Sequence, residues 1–178
     1  MNRPYHFNFL ARLLHWSMAL AILAMLFIGA GMVVSLQYRA QLLDLHRPLG
    51  IAILLLAIVR LANRLSRPTP ALPGDLPAVQ VFLAHASHWV LYALMLAMPL
   101  IGWAMLSAGG YPIPMVGAVH LPAILPHSPV IYGFLRPLHG ALAYVLFLTV
   151  LGHLGAALYH AWIRRDSVFP AMAKGDQV

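Results

Sequence analysis

Hydrophobic positions along this chain fall into four long runs, separated by polar or proline-rich breaks. The first, 13–36, is 24 residues without Asp, Glu, Lys or Arg, and a membrane-spanning helix needs about 20 apolar residues. It is longer than the apolar region of a cleavable leader, so it is expected to remain as the first helix. Gly29 and Gly31 near its end would let a neighbouring helix come close. Gln37 to Asp44 forms a polar connector. A second span is predicted over 42–65, although its uncharged centre, Pro48 to Val59, is only twelve residues long. Arg60 and Arg64 at one end and His46 with Arg47 at the other are expected to snorkel toward the headgroups, with a buried or re-entrant helix as the alternative.

The proline-rich stretch from Arg67 to Pro77 reads as a non-helical connector. A third span is expected over 78–107, bent at Pro99, with Trp89 and Trp103 as interface anchors like Trp16 in the first. The fourth is expected over 137–163. Between them, 108–136 holds Gly109-Gly110 and Pro112, Pro114, Pro122, Pro126 and Pro129. This is too broken for another span and reads as an ordered cap on the membrane surface.

Composition supports that class. Charged residues are 8% of the 178 and hydrophobic residues 62%, whereas a soluble domain carries about a quarter charged residues. Mean hydropathy is +0.82. The fold class expected is all-α: an integral membrane four-helix transmembrane bundle, one domain over 1–178. Four spans put Arg3, Arg12, Arg60, Arg64, Arg67, Arg164, Arg165 and Lys174 on one side, and Arg39, Arg47 and Arg136 on the other. The richer side faces the cytoplasm, so both termini are expected there and the cap in the periplasm. The basic residues mark where the chain leaves the bilayer, not a nucleic-acid surface. With no cysteine, disulfides, cysteine-ligated iron–sulfur clusters and thioether-linked haem are excluded, and histidine is the strong ligand left.

There are ten histidines. His139 and His153 are fourteen residues apart, just under four turns, so they share a helix face and stand about 21 Å apart along its axis. By depth, His15 matches His153 as an inner pair and His46 matches His139 as an outer pair. Two axial imidazoles from opposite helices suit a six-coordinate haem b devoted to electron transfer. A metal or proton pathway lined by histidine, as in a transporter, and plain hydrogen bonds between helices remain alternative uses. His160, seven residues beyond His153, shares nearly the same face. It could replace His153, but its place four residues before Arg164 favours a solvated or propionate-bonding role. His85 and His88, at i and i+3, are candidate quinone-side or propionate groups. His6, His120 and His127 lie outside the predicted spans. Arg47 and Arg136 are candidate propionate or anion partners on the outer side; Arg12, Arg60 and His160 are candidates on the inner side.

Several of these features together resemble the bacterial cytochrome b561 family. His15-Trp16 opens the first span and His46 with Gly50 the second. Leu83-Ala84-His85-Ala86-Ser87-His88 leads to Tyr92 and then Pro99-Leu100-Ile101-Gly102. His139, His153 and His160 follow at the spacing of fourteen and seven. The resemblance covers nearly the whole chain. It implies a four-helix di-haem b cytochrome of the bacterial inner membrane, with the residues matching His15 and His153 on one haem and those matching His46 and His139 on the other.

The resemblance further implies an electron carrier to or from ubiquinone. One member type is a superoxide oxidase, taking electrons from periplasmic superoxide through both haems to ubiquinone. Arg39, Arg47 and Arg136 against Asp44 give the outer face a modest positive bias, and a basic funnel would speed capture of an anion. Other b-type cytochromes of this kind serve as membrane anchors of a dehydrogenase or hydrogenase, with a partner redox protein as donor. No catalytic acid–base pair is legible, as expected of a protein that moves electrons.

Overall fold

The computed structural model describes residues 6–115 and 117–174; Arg3, counted above among the basic residues, lies outside them. Four helices organise the chain: α1 (Phe9–Val34), α2 (Arg39–Ser66), α3 (Ala78–Ala108) and α4 (Pro129–Leu158). A π-helical turn, Tyr159–Arg164, continues α4, and a short α5 (Val168–Ala173) follows. All four long helices are long and apolar enough to cross a membrane, α2 included. No strand forms among the described residues, only an isolated antiparallel bridge between Pro114 and His120 in the cap.

Helix starts are set by side chains that satisfy the first free backbone donors. Asn8 accepts from the backbone N–H of Ala11 at 2.7 Å, which starts α1 at Phe9 rather than at 13. Ser128 accepts from the N–H of Ile131, and Pro129 takes the first helical position, where its missing N–H is no loss. α4 therefore begins eight residues before the expected Pro137, and the cap is shorter than 108–136. Pro137 sits inside the helix. The residue whose carbonyl its ring faces is Gly133, beside which a Cβ would meet nothing. α3 likewise runs unbroken through Pro99 and α2 through Pro48.

The cap is held by α3. The Trp103 indole donates to the Pro122 carbonyl at 2.9 Å. Ser107 Oγ donates to the Trp103 carbonyl and accepts from the N–H of Ile124. Gly109 is required where α3 ends, because a Cβ there would lie 2.5 Å from the Tyr111 ring and 2.9 Å from that of Tyr132. At the other connection Gly31 makes the close approach, with Leu42 Cδ1 2.9 Å from where its Cβ would be, while Gly29 meets nothing.

The buried core lies among the first three helices: Met18 and Ile22 of α1, Ile53 and Ala57 of α2, Tyr92 and Met95 of α3. Ala57 is fully buried, since a methyl is all that the close packing of three helices leaves room for. Adjacent helices pack side by side, α1 on α2, α2 on α3 and α3 on α4. No comparable seam joins α4 to α1 or α2, and Leu146 is the one buried residue of α4. Large apolar residues such as Leu20, Phe27, Leu55, Phe82, Phe134 and Leu148 point outward, as suits a hydrocarbon surround.

Candidate functional site

Across the line where α4 stands apart, histidines meet in twos. Near the end of the bundle that carries both termini, the ring centroids of His15 on α1 and His153 on α4 are 6.2 Å apart, with planes at 63°. Toward the other end, His46 on α2 and His139 on α4 are 6.2 Å apart, with planes at 65°. The two pairs thus have the same separation and nearly the same tilt.

That separation has a chemical meaning. An imidazole nitrogen bonds a metal at about 2.0–2.1 Å and lies about 1.1 Å from its ring centroid, so two rings on opposite sides of one ion stand about 6.3 Å apart. Direct hydrogen bonding between the rings would bring them closer. Both observed separations are wide enough for one ion to be held between the rings. A bare divalent ion would need further protein ligands, and no cluster of three or more His, Cys, Asp or Glu suited to a metal occurs among the described residues. A porphyrin supplies four equatorial nitrogens of its own and needs only the two axial ones.

Surrounding groups fit such a group at both levels. Nδ1 of His46 and Nδ1 of His139 are buried without a hydrogen-bond partner, so each ring is held by packing with no polar contact at that nitrogen. Gly140 follows His139 and Gly152 precedes His153, and a Cβ at either would meet nothing, leaving backbone that a flat ring can approach. Gly102 of α3 backs His139: a Cβ there would lie 3.3 Å from the imidazole Cε1. Two guanidiniums have unspent donors. Arg47 bonds Asp44 through Nη1 at 3.2 Å, but its Nε is buried and unpartnered. Arg60 donates from Nε to the Tyr92 hydroxyl at 3.2 Å, and its Nη1 is likewise buried and unpartnered. Buried cationic donors left open are costly unless an anion meets them. The propionates of a haem are such anions, and Arg47 and Arg60 are the residues that would hold them.

His160 does not compete with His153. Its Nδ1 lies 2.7 Å from Asp166 Oδ2, and the same oxygen accepts from Arg164 Nε at 2.8 Å. Arg164 also reaches Asp75 in the α2–α3 connector at 2.7 Å. Burial works against the Asp166 carboxylate, but the N–H of Val168, His160 and Arg164 together hold it below the usual carboxylate range. This cluster turns the chain back over the bundle end. Phe7 donates its N–H to the Ala171 carbonyl at 3.0 Å, and the Trp16 indole donates to that of Met172 at 3.4 Å.

His88 is the residue whose place the sequence least foretold. Its ring lies 5.5 Å from that of His153, shorter than two opposed ligands require, so it flanks the inner pair. His85 points elsewhere, with Nδ1 2.7 Å from the Val81 carbonyl on its own helix. Arg12 lies half-buried on the first turn of α1, and Arg136 is exposed one turn before His139. Neither has a side-chain partner among the described residues. Tyr92, Gly102 and Asp166 were not foreseen as site residues. Tyr92 and Gly102 stood in the sequence only as marks of the family resemblance, with no contact assigned to either.

Comparison with known proteins agrees in extent. The family pattern of prokaryotic cytochrome b561 matches residues 6–175. Cytochrome b561 homolog 2 of Escherichia coli is 28% identical over 96% of this chain and 93% of its own length. A probable superoxide oxidase of Yersinia pestis is 32% identical over 76% of each chain.

Proposed function

The chain belongs to the prokaryotic cytochrome b561 family, which implies b-type haem, and on that premise we propose that it is a di-haem electron carrier of the bacterial inner membrane. His15 and His153 are the ligands of the inner haem, His46 and His139 those of the outer. Bound haem supplies a one-electron ferric–ferrous couple. The observation that carries the reading is the shared 6.2 Å separation of the two histidine pairs.

The protein's part is to bind and to exclude. Within each pair the two imidazoles come from different helices, one of them always α4, so ligand geometry is fixed by packing of α4 against α3 and of α1 against α2. Arg60, braced by Tyr92, and Arg47, braced by Asp44, offer their open donors to the anionic edge of the group at each level. The apolar surround keeps water away and lowers the local dielectric, which sharpens those charge contacts. With the basic-rich side inward, both termini and the inner pair face the cytoplasm, and the cap and outer pair face the periplasm.

Superoxide is the proposed electron donor at the outer face and ubiquinone the acceptor. The similarity to a probable superoxide oxidase supports this, and Arg39, Arg47 and Arg136, all toward the end of the bundle that carries His46 and His139, would favour an approaching anion. The test is a superoxide pulse to the purified oxidised protein, followed in the visible spectrum. Rapid formation of the ferrous spectrum, and its decay on adding ubiquinone, is the expected result. Reduction by quinol or by a partner dehydrogenase, with no response to superoxide, would favour the membrane-anchor role instead.

A further inference from the structure

At the end of α2, on the side of the termini, a cavity of about 480 Å³ is lined by Arg64, Leu65, Arg67, Pro68, Thr69 and His85. It lies at the level where the helices leave the apolar zone. Two arginines, a histidine and a threonine contribute to its lining, and none of the described carboxylates pairs with Arg64 or Arg67. Asp75, the acidic residue of the same connector, is engaged by Arg164 instead. We propose that this cavity binds the phosphodiester headgroup of an anionic phospholipid from the adjoining leaflet.

The parts are placed for that ligand. The Arg64 guanidinium lies over the Tyr92 ring, 5.8 Å from its centroid, so one cation is held before any ligand arrives. Arg67 is the C-cap of α2 with extended backbone, and Pro68 fixes the turn that follows it. His85 is anchored through Nδ1 to the Val81 carbonyl and serves as a wall of the cavity, leaving the grip on phosphate to the two guanidiniums. Planar guanidiniums grip phosphate oxygens in pairs, and basic pockets beside spanning helices are sites for anionic headgroups. Leu65, Phe82 and Leu83 are exposed on the flanking helix ends, an apolar surface along which acyl chains can lie. A neutral quinone ring would leave both cations unmatched.

The test uses the haem-loaded, full-length protein in nanodiscs of phosphatidylcholine alone or with phosphatidylglycerol, with native mass spectrometry after gentle detergent release. The expected result is a retained phosphatidylglycerol adduct and a higher melting temperature in the anionic discs. Arg67→Gln should retain about fivefold less of the adduct, for the lost cation, while Arg39→Gln at the opposite end should keep it. Both variants sit at exposed positions and should retain the haem spectrum. Equal adducts in Arg67→Gln and the unaltered protein would overturn the proposal. So would a stabilisation by inorganic phosphate in neutral discs that matches that of the lipid, or a loss of haem in Arg67→Gln, which would assign the cavity to the prosthetic group.

Discussion

Gly102 of α3 approaches His139 of α4 so closely that a Cβ added there would stand 3.3 Å from the imidazole Cε1. The helix that packs against α4 therefore also fixes the angle of one histidine in the outer pair. A methyl at this position forces a shift of a few tenths of an ångström; a larger side chain cannot be fitted without turning the ring. Gly102→Ala should keep both haems but alter the outer haem's potential. Gly102→Leu should lose the outer haem selectively. Haem content and a redox titration of both variants check this.

His160 and His153 are seven residues apart on one helix, yet the structure gives them different partners. His160→Ala should retain both haems, because its ring is engaged by Asp166 and not by the histidine of α1. His153→Ala should lose the inner one. Haem-to-protein ratios of the two variants separate these roles.

His88 flanks the inner pair without the spacing of an opposed ligand. His88→Ala should leave the haem count unchanged while shifting the inner haem's potential or low-temperature absorption band. Loss of that haem would mean that His88, not His15 or His153, is a ligand.

Asp166 gives the bundle end a pH dependence of definite sign. Its carboxyl is held below its ordinary value of 3.8 in the folded chain, so the stabilisation it provides is complete above that value and is lost as pH falls through the lower, folded one. Melting temperature should therefore fall in that acid window, and Asp166→Asn should be less stable near neutrality and lack this component of the fall. Thermal melts of both proteins from pH 7 downward measure the difference.

How much of this was legible beforehand follows from what each feature depends on. The four spans and the pairing of the histidines by depth are read from apolar run length and helical spacing, which are local properties. The start of α4 was misplaced because Pro137 looked like a boundary. The true signal was Ser128-Pro129, a cap followed by a first-turn proline. Despite its short uncharged centre, α2 is one continuous helix long and apolar enough to cross a membrane, and Arg60 finds the Tyr92 hydroxyl within the bundle. Contacts between helices were out of reach: nothing in the sequence says that Gly102 touches His139 or that His88 sits beside His153. Those depend on helix rotation, which many weak packing contacts decide together.

Counting haem per chain in paired variants tests the central claim most directly. The account predicts two haems in the unaltered protein, and one in each of His15→Ala, His46→Ala, His139→Ala and His153→Ala. It predicts one again when both members of the same pair are replaced, and none when one member of each pair is. If His46→Ala with His139→Ala removed both haems, or if any of the four single variants retained two, the opposed histidines would not be the ligands.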